Sequence, residues 1–177
     1  QLTITNTALA SAVDIRFIND ASNNTVNYCS LTGSTATSFG VVTFSTGLAT
    51  GNDNNTICNN NIGPAGANNP LNGIYSLGTS AAIDNSGNTI TANNIFDYFN
   101  AGSATNGMNI NSNNSNWTIT NNRLYQTANR LYTTGNTHTC INITSWVGYT
   151  ITGNIIGFAN SAGTGTTNMI GNSVTLA

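Results

Sequence analysis

One short phrase constrains the fold of this chain more than any other feature: a Thr, an aliphatic beside it, and a second aliphatic five residues after the first. It occurs six times, as Thr3-Ile4…Leu9, Thr25-Val26…Leu31, Thr56-Ile57…Ile62, Thr89-Ile90…Ile95, Thr118-Ile119…Leu124 and Thr150-Ile151…Ile156. Successive starts lie 22, 31, 33, 29 and 32 residues apart. Self-similarity at this period signals stacked supersecondary units rather than a closed globule. The expected architecture is an all-β solenoid of about six coils, with residues 1–177 forming one domain.

Composition supports strands and turns over helices. Asn and Thr are the two commonest residues, Lys and Glu are absent, and charged residues make up only 5% of the chain. Asn, Thr, Ser and Gly are poor helix formers because they compete for the backbone or leave it too free. A polar, Gly-rich chain can be disordered, but disorder goes with few aliphatics and high net charge. Here 38% of residues are hydrophobic and the net charge is -2, so a packed core is expected. With only Arg16, Arg123 and Arg130 as cations, nucleic acid and anionic membranes are not expected partners. No apolar run is long enough to insert in a membrane as a helix, and the start Gln1-Leu2-Thr3-Ile4-Thr5 lacks the pattern of a signal peptide.

Side chains alternate across a strand, so Ile90 points away from Thr89 and Thr91, and Ile119 away from Thr118 and Thr120. The aliphatics are expected inside and the threonines outside. Asn-rich runs such as Asn59-Asn60-Asn61 and Thr120-Asn121-Asn122 read as corners, since Asn tolerates left-handed backbone and bonds its own main chain. A second strand is expected downstream in each coil: Val13–Phe17, Val42–Phe44, Gly73–Tyr75, Met108–Ile110, Ile141–Ile143 and Asn168–Ile170. Between them, stretches such as Phe99–Asn106, Gln126–His138 and Gly157–Asn168 read as loops bulging from one side of the stack.

The segments Asn88–Ile95, Trp117–Leu124 and Tyr149–Ile156 resemble the right-handed parallel β-helix repeats of pectate-lyase-like folds and of large secreted or surface proteins of bacteria. The resemblance spans nearly the whole chain. It implies a right-handed parallel β-helix in an extracellular or cell-surface setting, acting as stalk, adhesin segment or filament element. Polysaccharide lyases and hydrolases also use this fold, so a carbohydrate-active protein is the alternative function.

The residues offer little for catalysis. Glycoside hydrolysis needs paired carboxylates, and Asp14, Asp20, Asp53, Asp84 and Asp97 each stand alone in sequence. His138, the sole histidine, lies in a Thr-rich run. With three scattered cysteines it does not make the four-ligand set of a structural zinc site. No catalytic, metal or cofactor residue is assigned, and no cofactor is expected. Cys29, Cys58 and Cys140 read as buried thiols, with a Cys29–Cys58 disulfide as the alternative. Sequons such as Asn23-Asn24-Thr25 and Asn116-Trp117-Thr118 arise readily in a chain this rich in Asn and Thr.

Two surfaces are candidates for ligand contact. Arg123, Tyr125, Arg130 and Tyr132 gather ring faces and donors suited to glycans, and Trp117 and Tyr149, each just before a phrase Thr, are expected to stack on one another. The pairs Thr3/Thr5, Thr89/Thr91, Thr118/Thr120 and Thr150/Thr152 are expected to align into outward rows of the kind an ice-binding solenoid presents, interrupted at Asn27 and Cys58. The ends carry no helix or charged segment to cap them, an arrangement that favours either head-to-tail self-association or packing on neighbouring coils of a longer array.

Overall fold

The computed structural model describes residues 1–10, 13–145 and 147–177. Among them there is no helix, and every strand pairing is parallel, giving a β-solenoid. Three sheets run along the stack. Sheet A holds Leu2–Asn6, Cys29–Gly33, Asn61–Pro64, Asn94–Phe96, Arg123–Tyr125 and Ile155–Phe158, in that order. Sheet B holds Ile15–Phe17, Gly40–Phe44, Asn72–Ser76, Thr105–Ile110, Asn136–Ile143 and Val174–Leu176. Sheet C holds the phrase strands Thr25–Asn27, Thr56–Cys58, Thr89–Thr91, Thr118–Thr120 and Thr150–Thr152. The first aliphatic of each phrase therefore lies in sheet C and the second in sheet A.

Only five of the six phrases are in register. Thr3 and Thr5 belong to sheet A, where Ile4 lies against Leu31, the second aliphatic of the next coil. The short first offset of 22 residues is the trace of this displacement. The last expected strand is also corrected. Val174–Leu176 completes sheet B against Asn136–His138, whereas Met169–Gly171 pairs with Arg130–Tyr132 in a separate two-stranded sheet.

The core is one column of aliphatics. Ile57, Ile90 and Ile119 from sheet C face Leu31, Ile62, Ile95 and Leu124 from sheet A and Val42, Ile74, Met108 and Ile110 from sheet B, all essentially inaccessible to solvent. Burying each such side chain is favourable by about 1.5–3 kcal/mol.

Two tight corners flank sheet C. The residue two positions after the strand's central aliphatic is left-handed in every coil: Tyr28, Asn59, Ala92, Asn121 and Gly153. So is the residue two before each phrase Thr: Asn23, Asn54, Gly87, Asn116 and Gly148. Asn is favoured there because its short polar side chain tolerates this backbone.

The neighbouring Asn residues do something the sequence reading did not anticipate. Asn60, Asn93 and Asn122 are buried and stack with Asn154 into an internal ladder. From Asn93 onward each side-chain oxygen accepts from both the backbone N–H and the Nδ2 of the Asn one coil below, as at Asn93, where Asn60 donates at 3.0 and 3.1 Å, while the Asn60 oxygen accepts from the Cys29 N–H. Each Nδ2 also donates to a main-chain oxygen further down, Asn93 to Ile57 at 2.9 Å. Asn24, Asn55 and Asn88 form a second ladder at the other corner of sheet C, and Asn52 and Asn85 begin a third that continues through Ser76 to Asn114. The ladders give the side-chain oxygen and nitrogen of the buried amides hydrogen-bond partners, which is the condition for polar groups to sit inside.

Candidate functional site

The loops do not rise from one side only, as the sequence suggested: long connections join sheets B and C at residues 45–55 and 77–88, while others of variable length join sheets A and B. Those of successive coils border an open groove of about 300 Å³ lined by Leu9, Ser34, Asn68, Asn69, Phe99 and Asn100. The two loops most distinct in sequence, Phe99–Asn106 and Gln126–His138, pack on each other. Phe99 meets Tyr132 edge-on at 5.0 Å and Thr133 donates its N–H to Ala101.

The glycan candidates divide. Arg130 is held inside the loop cluster, paired with Asp97, donating from Nε to Gln126 at 2.8 Å and lying over the Phe99 ring. Tyr132 is 1% exposed, with its hydroxyl 2.5 Å from that of Thr105. Both belong to the scaffold. Arg123 and Tyr125 stay half-buried on the outer face of sheet A, where the Arg123 guanidinium donates to the Ser161 carbonyl at 2.6 Å. Tyr125 stacks on Phe96 at 5.4 Å along the coil axis, so the two rings turn edges rather than faces to the outside. Trp117 is fully buried, packing edge-on against Phe44 and donating from its indole N–H to the Asn85 carbonyl. It therefore cannot be a sugar platform or an outward partner of Tyr149. Position −1 of the phrase is buried at Asn55, Asn88 and Trp117, and Tyr149 donates its hydroxyl to the Asn114 carbonyl.

The threonine rows lie on the outside of sheet C. One row is Thr25, Thr56, Thr89, Thr118 and Thr150 in unbroken register; the other is Asn27, Cys58, Thr91, Thr120 and Thr152. Thr91 and Thr120 hydroxyls are 2.9 Å apart. Thr3 and Thr5 stand apart on sheet A, Thr5 bonded to Thr32.

The carboxylates scatter. Asp20 accepts from the backbone N–H groups of Leu48, Ala49, Thr50 and Gly51. Desolvation raises its pKa, but these bonds prevail and hold it down at about 2. Asp53 accepts from Ser86, Asp84 from Ser115, and Asp97 from Thr127 and Arg130. Among the described residues, no group of three His, Cys, Asp or Glu side chains is placed to hold a metal ion. Cys29, Cys58 and Cys140 are free thiols. Cys29 occupies the inner ladder position of its coil and Cys58 the outer Thr row, so they face opposite sides of sheet C and its corner.

The densest chemistry lies around a cavity of about 330 Å³ in the last three coils. His138 and Cys140, alternate residues of one sheet B strand, both reach it, with Tyr98 below them. The His138 ring stacks on Tyr98 at 5.1 Å, and its Nδ1 lies 2.9 Å from the Thr105 hydroxyl and 3.1 Å from that of Tyr132. The Tyr98 hydroxyl donates to Cys140 Sγ at 3.3 Å. Burial and, secondarily, Arg130 lower the His138 pKa to about 4, while burial raises that of the Cys140 thiol, partly offset by the Tyr98 bond. Both groups are thus neutral near pH 7, the opposite of an activated thiolate–imidazolium pair. Comparison with protein-family models, curated proteins and solved structures finds no match for this chain.

His138 and Asp14 make opposing contributions to stability against pH. Burial lifts Asp14 to about 7, with the Thr32 backbone offsetting a small part, and neither carboxylate oxygen has a partner at hydrogen-bond geometry. A raised folded pKa gives stability that is full below the unfolded value of 3.8 and lost as pH rises through about 7. The lowered His138 pKa gives stability that is full above 6.5 and lost as pH falls through about 4. Between these limits the two slopes oppose each other. Urea midpoints should therefore change little from pH 4.5 to 6.5 in the parent chain, rise with pH in Asp14→Asn, and fall with pH in His138→Phe.

Proposed function

We infer that this chain is a structural element, a rigid non-catalytic spacer of an extracellular or cell-surface protein, serving as stalk, adhesin segment or filament unit. The observation that carries the reading is the assignment of its polar chemistry to the scaffold. The internal Asn ladders run coil to coil, four of the five carboxylates bond neighbouring backbone, hydroxyl or guanidinium groups, and Arg130 is tied to Asp97. A solenoid in which each coil contacts only its neighbours keeps its cross-section as coils are added, which suits reach and stiffness over turnover. In such a setting the partners are neighbouring coils or further copies stacked head to tail.

A glycan array probed with the intact chain tests this. The spacer reading expects no selective hit. A selective hit that disappears in Arg123→Ala or Tyr125→Ala, the half-buried pair on the outer face of sheet A, would favour the carbohydrate-binding alternative. The unbroken Thr row of sheet C supports ice binding as a second reading, and a thermal-hysteresis measurement that gives no effect at high concentration would remove it.

A further inference from the structure

We propose that the cavity beneath the last coil is a binding site for a small, neutral, mostly apolar molecule carrying one hydroxyl group, anchored at the Nε2 atom of His138. The cavity is a gap within the stack and not only an open end. Its walls come from three successive coils: Tyr98 from one, Leu124 and His138 with Cys140 from the next, and Ile156 with Met169 from the last. Its volume of about 330 Å³ lies at the lower end of the range for small-molecule sites, roughly 300–1,000 Å³.

A device in the backbone makes the room. Sheets A of the fifth and sixth rungs pair Leu124 with Ile156 and then Tyr125 with Phe158, leaving Gly157 as an extra residue. Gly157 has φ +88 and no atom within 4 Å of where a Cβ would be, so the bulge faces open space and lines the cavity. Bulges of this kind re-aim a strand beside functional sites. On the opposite wall, Val174–Leu176 pairs with Asn136–His138, and the Cys140 N–H donates to the Ala177 carbonyl.

The anchor is a polar atom with no bond of its own. His138 is 5% exposed, and its Nδ1 is engaged by Thr105 and Tyr132. Nε2 has no hydrogen-bond partner among the described residues, yet it is not sealed off, since Asp14 supplies the only fully buried side-chain atoms left without one. His138 is among the residues that line the cavity. Which ring nitrogen carries the proton depends on the two hydroxyls, and a ligand hydroxyl accepts from Nε2 when that atom is protonated and donates to it in the other tautomer. The surrounding Leu124, Ile156, Met169 and Tyr98 give the rest of the ligand apolar and aromatic contact.

The test uses 2-naphthol and 2-methylnaphthalene, which match in size and differ in the hydroxyl, with saturation-transfer NMR and fluorescence titration on the intact chain. Saturable one-site binding is expected for both, with 2-naphthol about fivefold to tenfold tighter, the worth of one hydrogen bond. In His138→Phe, which keeps a ring against Tyr98, that advantage should vanish while 2-methylnaphthalene still binds. In Cys140→Leu, which takes up part of the cavity, both should bind more weakly, with circular dichroism and the melting temperature reporting that the fold persists. Absence of saturable binding to the folded parent chain would overturn the proposal, as would an undiminished 2-naphthol preference in His138→Phe. Neither result bears on the spacer reading.

Discussion

Replacing Asn93 with Ala lowers the stability of the fold by about 4 kcal/mol in urea denaturation, more than any surface substitution. Asn93 is wholly buried, and its side chain donates to Ile57, Thr91 and Asn122 and accepts twice from Asn60. Removing it strands donors and acceptors in two adjacent coils where water does not reach, and each stranded group costs about 1–3 kcal/mol. Asn93→Asp should be no milder, because a carboxylate cannot donate to Ile57 or Asn122 and is costly to bury charged. The neighbouring Asn94, half-buried on the outer face and bonded to Asn61, should lose under about 1 kcal/mol on conversion to Ala. Equal losses at 93 and 94 would show that the inner ladder does not hold the coils together.

Gly51→Ala should cost about 3 kcal/mol or more. Its φ is +101, and a Cβ built there would lie 1.8 Å from the Asp84 carbonyl oxygen of the next coil, so the backbone has to move. The move also disturbs the Asp20 cap, to which Gly51 donates at 3.1 Å. Gly66→Ala is the control. It shares a positive φ, at +75, but has nothing within 4 Å, so only the left-handed penalty of about 1–2 kcal/mol remains. A similar small loss at both positions would mean that the coils are not in close backbone contact at this corner.

Much of the fold was legible because a solenoid writes its architecture as repetition. The aliphatic positions of five phrases and the outward threonines could be read from spacing, but the loops, expected on one side, also rise between sheets B and C. The displaced first phrase misled because Thr3-Ile4-Thr5 satisfies the local pattern of a sheet C strand while its distance to the next phrase places it in sheet A. The Asn residues were assigned to corners, and half of them are. The signal that separates the two roles was present: four residues after the phrase Thr stand Asn60, Asn93, Asn122 and Asn154, while the position before them varies as Tyr28, Asn59, Ala92, Asn121 and Gly153. The fixed residue is buried and the varying one is the left-handed turn. The surroundings of His138 were not legible, because they depend on a one-residue bulge at Gly157 and on packing between loops about 30 residues apart.

Solution scattering from a coil-duplication series tests the central claim most directly. One repeat unit, Thr89 to Trp117, is 29 residues by the offset between equivalent positions. Inserting three further copies after Trp117 should lengthen the particle by about 14 Å, three rungs at roughly 4.8 Å each, with the cross-sectional radius unchanged and one unfolding transition retained. A larger cross-section, or a second transition at lower denaturant, would contradict an account in which coils are interchangeable units of a rigid stack.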